Sequence, residues 1–552
     1  MSDQQIQDRR SKLDKLRSLG VDPFGSRFTG VISNADIRAA GEALDPGAGV
    51  TLDRDAKAPN GAAAACRAAG RVVLQRDIGS LIFLTIRDRS GDLQVGLSKK
   101  TFERGAEATG SADEGTRGAA ACGSGAPGEA PAPGGATAWK VAKLLDLGDF
   151  VGVDGVLGRT RTGELTLWAD SLRLLSKAVR PPPEKYHGLT DIEARYRRRY
   201  VDLFANPESA RNFILRAQVI RFIRDLLHAR GYIEVETPVL QPVYGGAAAR
   251  PFTTHHNALD MRLYLRISPE LYLKRCLVGG LERVFEFSRC FRNEGISPRH
   301  NPEFTMLELY QAYGDYHDMM DITEAIIAGA AASVIGSHRI PFGDREIDYA
   351  PPWPRRRYAD LVREYAGVDI GDAAAVERRC RELGILARLE RARAAAAAAG
   401  AGGKGGAAAA AVSAPDPVLL INALFEETVE DKLINPTFVI DYPAPLCPLT
   451  KRHPSDANLA LRFEAYVNGM EMGNAYSELN DPDVQRANLA GQVEGEGDET
   501  MRVMDEDFCE ALEYGMPPAG GLGIGVDRLC MLLTGSQSIR DVLLFPLQRA
   551  EG

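Results

Sequence analysis

The most informative segment of the chain runs from Phe285 to Tyr313 and reads FEFSRCFRNEGISPRHNPEFTMLELYQAY. Two apolar-rich segments flank a Gly/Ser/Pro turn, which is the pattern of a β-hairpin. A guanidinium neutralises phosphate oxygens through paired hydrogen bonds, and an aromatic ring gives a purine a flat face to stack on. A charged tip is more often only solvated, but here we predict a polyanion site. The side chains that point to it are Arg292, Glu294, Arg299, His300, Asn301, Glu303 and Phe304.

Two other segments share features with this hairpin. Residues 210–231, ARNFILRAQVIRFIRDLLHARG, carry apolar side chains at helical spacing and end at Gly231, a natural helix stop. The following GYIEVETPVLQP predicts a strand ended by Pro238. Residues 521–546, GLGIGVDRLCMLLTGSQSIRDVLLFP, place Arg528 after a glycine-rich run. Glycines let the backbone approach a flat ligand, and an arginine can stack on a base or pair with a phosphate.

Composition changes along the chain suggest domain boundaries. Residues 1–64 predict a helical lead-in and a linker. Within 65–179, short alternating apolar segments indicate about five strands and a small closed barrel. The low-complexity segment 104–137 has little to bury, so we expect a disordered surface insertion there, and a second insertion at about 390–416. A proline-rich hinge opens the larger region 180–552.

The overall composition is that of an ordinary globular protein. The 552 residues are 45% hydrophobic and 26% charged, and the eight cysteines show no metal-ligand spacing. This argues for reduced thiols and against a zinc site. The charged start is not a secretory signal, and no apolar run is long enough for a bilayer. We therefore expect a cytoplasmic protein without membrane contact. A net charge of -9 does not exclude RNA binding, because RNA can contact one local patch.

The three segments, in this order, resemble the signature motifs of class II aminoacyl-tRNA synthetases, in the form carried by lysyl-tRNA synthetases. The loop VYGGAAARPFTTHHN at 243–257 is also similar to theirs. The resemblance implies an α+β fold, with an N-terminal OB-fold β-barrel followed by a class II antiparallel-sheet catalytic domain with helices. It also implies a homodimer that uses ATP to activate L-lysine, forms lysyl-adenylate and pyrophosphate, and transfers lysine to the 3′ end of tRNA(Lys).

The resemblance further implies roles in binding ATP. Arg292 and Arg528 are the expected catalytic residues: Arg292 holds the α-phosphate, while Phe304 and Arg528 stack on the two faces of adenine. Glu294, His300 and Asn301 are expected to complete the nucleotide contacts, and Glu464 and Glu471 to carry Mg²⁺. Two glutamates seven residues apart otherwise usually form a solvated stripe.

An expected lysine pocket follows from the same resemblance, since an ammonium in a pocket needs carboxylate partners. Glu270 or Glu308 meets the α-amino group, with the division between them left open. Glu478 and Tyr310 meet the ε-ammonium. Asn474 holds the carboxylate end, and Gly246 and Gly525 leave room for the stem. Tyr476 stands where the family leads us to expect phenylalanine.

The barrel is expected to bind the anticodon of tRNA(Lys) through Phe83 as a stacking residue and Arg76 and Gln94 as polar readers. An aromatic residue inside a strand is otherwise more often part of the core.

Three alternatives stay open at this point. An aspartate or asparagine enzyme would keep the fold but change the pocket, and the carboxylate set argues against it. A truncated paralogue that modifies a protein lysine would lack the barrel. A catalytically inactive RNA-binding paralogue should have lost its charged ATP contacts.

Overall fold

The computed structural model describes residues 3–42, 65–108, 129, 131–160, 162–183, 189–247, 249–391, 417–494 and 504–549. The chain divides into two compact units, Met1–Gly188 and Leu189–Gly552. Most of the predicted linker, 43–64, the middle of the first predicted insertion, 109–128, and nearly all of the second, 392–416, lie outside the described residues. Among the described helices, none combines the length and apolar character needed to cross a membrane.

The first unit contains the predicted closed barrel of five strands. The strands follow one another around the barrel in the order β1-β2-β3-β5-β4. Their bounds are β1 Ala65–Ile78, β2 Leu81–Asp88, β3 Gly91–Ser98, β4 Phe150–Arg159 and β5 Leu165–Ser176. The helices of this unit are α1 Asp3–Ser18, α2 Asn34–Glu42, α3 Lys99–Ala108 and α4 Gly135–Leu144.

The ends of the predicted insertion 104–137 differ from the expectation of disorder. Residues 104–108 belong to α3, and α4 begins at Gly135. Phe102 and Trp139 from these helices are buried in the barrel core. Glu129 is held by Arg67, at 2.6 Å, and by the backbone and hydroxyl of Thr29. The described ends of this segment therefore belong to helices that continue into the buried residues Phe102 and Trp139, and Glu129 is fixed by its contacts with Arg67 and Thr29.

The second unit is built on a large mixed sheet with the strand order β14-β15-β17-β18-β19-β11-β10-β6, to which β16 adds by pairing with β17. Smaller sheets have the orders β7-β9-β8 and β12-β13. The strand bounds are β6 Ile233–Glu234, β7 Leu240–Gln241, β8 Thr253–His256, β9 Met261–Leu265, β10 Arg283–Phe291, β11 Glu303–Ala312, β12 Arg339–Phe342, β13 Arg345–Asp348, β14 Arg355–Arg357, β15 Thr437–Pro443, β16 Arg452–His453, β17 Asp456–Val467, β18 Met470–Ser477 and β19 Ala519–Gly525.

Helices surround this sheet. They are α5 Ile192–Arg197, α6 Arg199–Ala205, α7 Pro207–Ala229, α8 Glu270–Val278, α9 Tyr316–Ala330, α10 Tyr358–Ala366, α11 Ala373–Glu382, α12 Pro417–Thr428, α13 Pro482–Glu494, α14 Glu506–Glu513 and α15 Val526–Thr534. The predicted α+β fold is thus confirmed, with an all-β barrel in one unit and a helix-flanked sheet in the other.

The predicted hairpin, the predicted helix and strand before it, and the glycine-rich segment all belong to this sheet or pack against it. β10 and β11 form the predicted antiparallel hairpin, and residues 292–302 are its tip. The predicted helix is α7, which ends before Gly231 at a φ of +80°. The strand predicted after it is only the two-residue β6, which pairs in parallel with β10. The glycine-rich run is β19, which lies between β11 and β18 and leads directly into α15.

Side chains alternate along each strand, so one face of this sheet packs in the core and the other lines cavities. Leu307 and Leu309 of β11, with Leu522 and Ile524 of β19, enter the main hydrophobic core. The alternate residues of both strands face the other way and line two cavities. The core therefore fixes the register that places the polar side chains at these cavities.

A buried ion-pair network in the first unit allows a test of its stability. Lys177 is fully buried, and its Nζ lies 2.6 Å from Asp146 and 2.8 Å from Asp149. Removing one member of a buried pair leaves a charge without a partner. We expect Lys177→Met to lower the free energy of unfolding of this unit by about 3 kcal/mol, measured by urea denaturation monitored by circular dichroism and tryptophan fluorescence.

The matched control is Lys143→Met, because Lys143 also pairs with an aspartate, Asp77, at 2.6 Å but on the surface. An exposed pair contributes at most about 1 kcal/mol. Equal losses for the two variants would contradict a special role for the buried network.

Candidate active site

The first cavity, of about 150 Å³, lies at the tip of the β10–β11 hairpin. All of the predicted nucleotide-binding residues except Glu464 line it, namely Arg292, Glu294, His300, Asn301, Phe304, Glu471 and Arg528. The hairpin supplies five of these, β18 supplies Glu471, and α15 supplies Arg528. Residues far apart in sequence thus meet at one site.

Aromatic and cationic groups meet within this cavity. The guanidinium carbon of Arg292 lies 5.0 Å from the centre of the Phe304 ring. Arg528 donates to Nε2 of His300 at 3.1 Å and to the backbone oxygen of Glu471 at 2.8 Å. Nε of Arg292 is buried and has no hydrogen-bond partner among the described residues. The cavity is therefore lined by guanidinium groups and flat surfaces, which suit an anionic ligand with an aromatic ring.

The same arginines act on His300. Burial, followed by the charges of Arg528, Arg292 and Arg299, lowers the pKa of this imidazole. His300 is therefore neutral at neutral pH, and its Nδ1 lies 2.9 Å from the hydroxyl of Ser297. A neutral imidazole accepts the hydrogen bond from Arg528 without adding a positive charge.

Asp527, which the sequence analysis did not single out, ties the three segments together. Its carboxylate lies 2.6 Å from Arg216 of α7 and accepts a hydrogen bond of 2.7 Å from the backbone nitrogen of Thr305 in β11. Asp527 is the residue before Arg528. This buried contact therefore fixes the start of α15 relative to both the long helix and the hairpin.

The second cavity, of about 370 Å³, extends from the first along the same face of the sheet. It is lined by six of the predicted amino-acid-binding residues, namely Gly246, Glu270, Glu308, Tyr310, Asn474 and Tyr476. Five residues border both cavities, namely Arg292, Met306, Glu471, Asn474 and Gly523. A ligand in one cavity can therefore touch a ligand in the other.

Gly525 lies at the first cavity and not at the second, which differs from its predicted place beside the lysine stem. Gly521, Gly523 and Gly525 share one face of β19, but the strand runs past both cavities and Gly525 is at its far end. The glycines at the second cavity are Gly521 and Gly523. The family resemblance thus pointed to a glycine on the cavity face of this strand, but at a different position along it.

Gly521 makes room for the carboxylate of Glu478. A Cβ at residue 521 would stand 2.1 Å from Oε1 of Glu478 and 2.5 Å from the ring of Tyr310. Glu478 itself is fully buried and is not among the residues that line the cavity, whereas Gly521 is. This carboxylate therefore lies against the backbone of residue 521, where only glycine fits.

Glu270 and Glu308 line the second cavity together with Glu464 and Glu471, and the carboxylate of Glu478 is buried behind it against residue 521. Burial, reinforced by the charge of Glu270, raises the pKa of Glu308 to about 8, although Ser268 donates to it at 2.9 Å. Burial also raises the pKa of Glu478 to about 7, against the opposing effect of Lys274. The raised pKa values of Glu308 and Glu478 mean that nearby positive charge does not offset their burial. A cationic ligand would stabilise their ionised forms.

Lys274 is a further residue that the sequence analysis missed. It lies on α8 four residues after Glu270, and its Nζ contacts both Glu270 and Glu478. The i,i+4 spacing in PELYLK was the available signal. That spacing is usual on solvated helices, so sequence alone does not separate the two cases.

Glu464 and Glu471, the predicted metal ligands, have different surroundings. Glu464 is in close contact with Arg462 and accepts hydrogen bonds of 2.7 Å from Tyr442 and from Tyr466. Glu471 accepts one from Asn474 at 3.2 Å, and burial together with the charge of Glu464 raises the pKa of Glu471. The described part of the chain holds no cluster of three ligating side chains. The two carboxylates fit an ion that takes its other ligands from phosphate and water.

The predicted anticodon residues of the barrel lie together on its outer face. Nη2 of Arg76 donates to Gln94 at 3.2 Å and Gln94 donates to Thr166 at 2.8 Å. The ring of Phe83 lies 5.8 Å from that of Trp168, edge to face. Trp168 was not predicted. A Cβ at Gly96 would stand 2.7 Å from the Trp168 ring, so a glycine on the neighbouring strand makes space for it.

Comparison with known proteins gives the family. The model of the tRNA synthetases class II (D, K and N) matches residues 191–549. A lysine–tRNA ligase of Carboxydothermus hydrogenoformans is 44% identical over 549 residues, which are 99% of this chain and 98% of that protein. Those of Pelotomaculum thermopropionicum and Magnetococcus marinus are 45% and 44% identical, over 98% and 100% of this chain and 94% and 98% of theirs.

The matched family model covers the hairpin, the glycine-rich strand and both cavities, and the relatives extend the similarity through the barrel. The chain therefore belongs to the class II tRNA synthetases, in the family of the lysine–tRNA ligases.

Proposed function

We infer that this protein activates L-lysine with ATP and transfers it to tRNA. The observation that carries this function is the pair of adjoining cavities, the first lined by arginines and an aromatic ring and the second surrounded by buried carboxylates. The first suits a nucleoside triphosphate, and the second suits an amino acid with two ammonium groups. An aspartate or asparagine substrate would face carboxylates instead of the cation or amide donors that it needs.

We propose that ATP occupies the first cavity, with adenine between Phe304 and Arg528. Arg292 lines both cavities, and its unpartnered Nε would be a donor to the α-phosphate. Glu294, His300 and Asn301 complete the contacts with the nucleotide. The support for this assignment is the shared lining and the short contact between Arg528 and the neutral His300.

In the second cavity, we assign the ε-ammonium of lysine to Glu478 and Tyr310 and its carboxylate end to Asn474 and Arg292. The α-amino group falls to Glu270 or Glu308. Gly246 supports this arrangement, because its φ is +83° and an added Cβ would stand 3.0 Å from Cβ of Glu270 and from Oγ of Ser268. Tyr476 forms part of the wall.

The first half-reaction then requires no general base. The carboxylate of lysine is ionised at neutral pH and attacks the α-phosphorus directly, and pyrophosphate leaves. The catalytic contribution of Arg292 and Arg528 is to align the reactants and to neutralise charge on phosphate oxygens. In the second half-reaction, a hydroxyl of the 3′-terminal ribose of tRNA attacks the activated carbonyl and AMP leaves.

We propose that Glu471 and Glu464 hold Mg²⁺ when ATP is bound. The mutual repulsion of these carboxylates, which contributes to the raised pKa of Glu471, would be relieved by a cation. The ion would supply charge neutralisation on the phosphates of ATP.

We also propose that the outer face of the barrel binds the anticodon, through Phe83, Arg76 and Gln94. Phe83 offers its face for stacking, and Arg76 and Gln94 already share a hydrogen bond through which a base edge could compete.

A homodimer and a cytoplasmic location complete the proposal. Exposed apolar side chains cluster in sequence between α7 and β10, as a subunit interface would require. They are Ile214, Ile233, Val239, Leu240, Leu259, Met261 and Leu281. A cytoplasmic location follows from the proposed substrates, because tRNA and ATP are used there in protein synthesis.

Amino-acid specificity is tested by ATP–pyrophosphate exchange with each amino acid in turn and without tRNA. We expect exchange with L-lysine alone. Exchange with aspartate or asparagine would keep the fold and contradict the pocket assignment. No exchange with any amino acid, from a folded protein, would favour an inactive paralogue.

Single substitutions separate the two cavities. Arg528→Ala should abolish exchange while leaving the oligomeric state unchanged, as measured by sedimentation velocity. Glu478→Gln should raise KM for lysine by about 100-fold, because the lost charge-assisted contact is worth about 3 kcal/mol. KM for ATP should change little. Equal changes in the two constants would show that Glu478 does not belong to the amino-acid pocket.

Gly521→Ala tests the close approach of the strand to Glu478. We expect loss of lysine-dependent exchange, because the added methyl group overlaps both Glu478 and Tyr310. The control is Gly491→Ala on helix α13, where an added Cβ meets no atom within 4 Å. If Gly521→Ala keeps wild-type kinetics, the carboxylate does not lie beneath this glycine.

Phe83→Ala tests the barrel. KM for tRNA(Lys) in aminoacylation should rise by about ten-fold or more, because a base stacked on an aromatic residue is worth about 1–3 kcal/mol. Exchange without tRNA should be unchanged, since Phe83 lies in the other unit. A lowered exchange rate with unaltered KM for tRNA would contradict the assignment.

A further inference from the structure

A buried ammonium of the protein lies behind the second cavity, in contact with two of its carboxylates. Nζ of Lys274 lies 2.7 Å from Oε1 of Glu270 and 2.5 Å from Oε2 of Glu478, and the side chain is fully buried. Helix α8 carries Glu270 and Lys274 on one face, one turn apart. The ammonium of Lys274 thus bridges two of the three carboxylates that the proposed function assigns to the substrate.

The presence of this ammonium changes the charge balance of the pocket. Of the other charged groups that line the cavity, Glu464 is paired with Arg462, and Glu471 is assigned to Mg²⁺. Glu270, Glu308 and Glu478 carry three further negative charges when ionised, and Lys274 cancels one of them. Two negative charges remain, and L-lysine brings two ammonium groups. The carboxylate of the substrate is met separately by Arg292 on the proposed assignment. An unmatched buried charge is costly, so this agreement favours a dication over amino acids with one ammonium.

We propose that Lys274 is a positioning residue that sets the amino-acid specificity of the site by permanently neutralising one of its three carboxylates. It does so without touching the reacting atoms. The inference rests on the proposed function, since it takes L-lysine to be the ligand of the second cavity.

Several titratable and charged groups surround the carboxylates that Lys274 contacts. Groups on α8, β10, β11, β17 and β18 and in the loops after β10, β15 and β18 act on these carboxylates. They are Glu270, Cys290, Arg292, Glu308, Tyr310, Cys447, Arg462, Tyr476 and Glu478. Lys274 is the cation in direct contact with Glu478, and its charge lowers the pKa of that carboxyl against the effect of burial.

Removal of the ammonium should therefore move the pH dependence of lysine binding in a defined direction. Without Lys274, Glu478 stays protonated to a higher pH, and a protonated carboxyl does not pair with an ammonium. In Lys274→Met, we expect the acid limb of kcat/KM for L-lysine in pyrophosphate exchange to move to higher pH by about one unit or more. At pH 7 this is a loss of about ten-fold, and it should shrink towards pH 8.5. KM for ATP should stay unchanged.

Three further variants make the test decisive. Lys274→Arg keeps a positive charge, so its acid limb should stay near the wild-type position. The double variant Lys274→Met/Glu270→Gln removes the cation together with one carboxylate, so the limb should return towards the wild-type pH even if kcat/KM is low throughout. The matched control is Lys140→Met, an exposed lysine of the barrel unit, whose profile should not move.

The position of the limb distinguishes a charge effect from a packing effect. A pH-independent loss in Lys274→Met, with the limb at its wild-type position, would overturn the proposal, as would a matching rise in KM for ATP. The same holds if Lys274→Arg is shifted as far as Lys274→Met. Absence of lysine-dependent exchange in the wild-type protein would instead refute the proposed function, so the two failures are distinguishable.

Discussion

Burial of negative charge is the constraint on which the second cavity depends. Glu270, Glu308 and Glu478 are at most 5% exposed, and the charge of Glu270 contributes to the raised pKa of both Glu308 and Glu478. Carboxylates removed from water need hydrogen bonds or cations. Ser268 and Tyr310 donate to Glu308, and Lys274 serves the other two. The pKa values of Glu308 and Glu478 are raised despite these contacts, so a cationic ligand would still stabilise the two ionised carboxylates.

Strand β19 determines where this charge can be placed. It lies between β11, which carries Glu308 and Tyr310, and β18, which leads to Glu478. Because its cavity-facing residues are glycines, the carboxylate of Glu478 can lie against its backbone under the floor of the cavity. A side chain at Gly521 would displace both Glu478 and Tyr310 from their positions. The charge distribution of the pocket thus depends on the absence of a single methyl group.

Local patterns in the sequence were sufficient for the hairpin, the helix before it and the glycine-rich strand, whereas the residues at the two cavities were assigned from the family resemblance. The hairpin was predictable because apolar alternation, a turn and a cluster of charges occur within one short segment. Most of the assigned residues meet at the cavities because strand alternation fixes their faces. Gly525 lies at the first cavity and not beside the second, where it was expected. Alternation gives the face of a strand but not the distance along it from a cavity.

What the sequence did not reveal consists of contacts between distant segments. Asp527 pairs with Arg216 from a helix more than 300 positions earlier, and Trp168 fits against Gly96 across two barrel strands. In the sequence, Lys274 has the pattern of an ordinary helical lysine. Its role depends on Glu478, which is distant in sequence and which the fold brings into contact with it. Tertiary contact changes the meaning of these residues, and no local pattern carries that information.

The two cavities share lining residues, so the proposed reaction would take place at the boundary between them. Arg292 belongs to both, as do Glu471 and Asn474, so the carboxylate of an amino acid and the α-phosphate of ATP would meet beside the same guanidinium. Two anions approach each other only if their repulsion is reduced, and Arg292 can neutralise both. Since the attacking carboxylate needs no proton removed, the protein has no need of a base at this boundary. Charge compensation therefore governs both halves of the site, where cations oppose phosphate in one cavity and carboxylates oppose ammonium in the other.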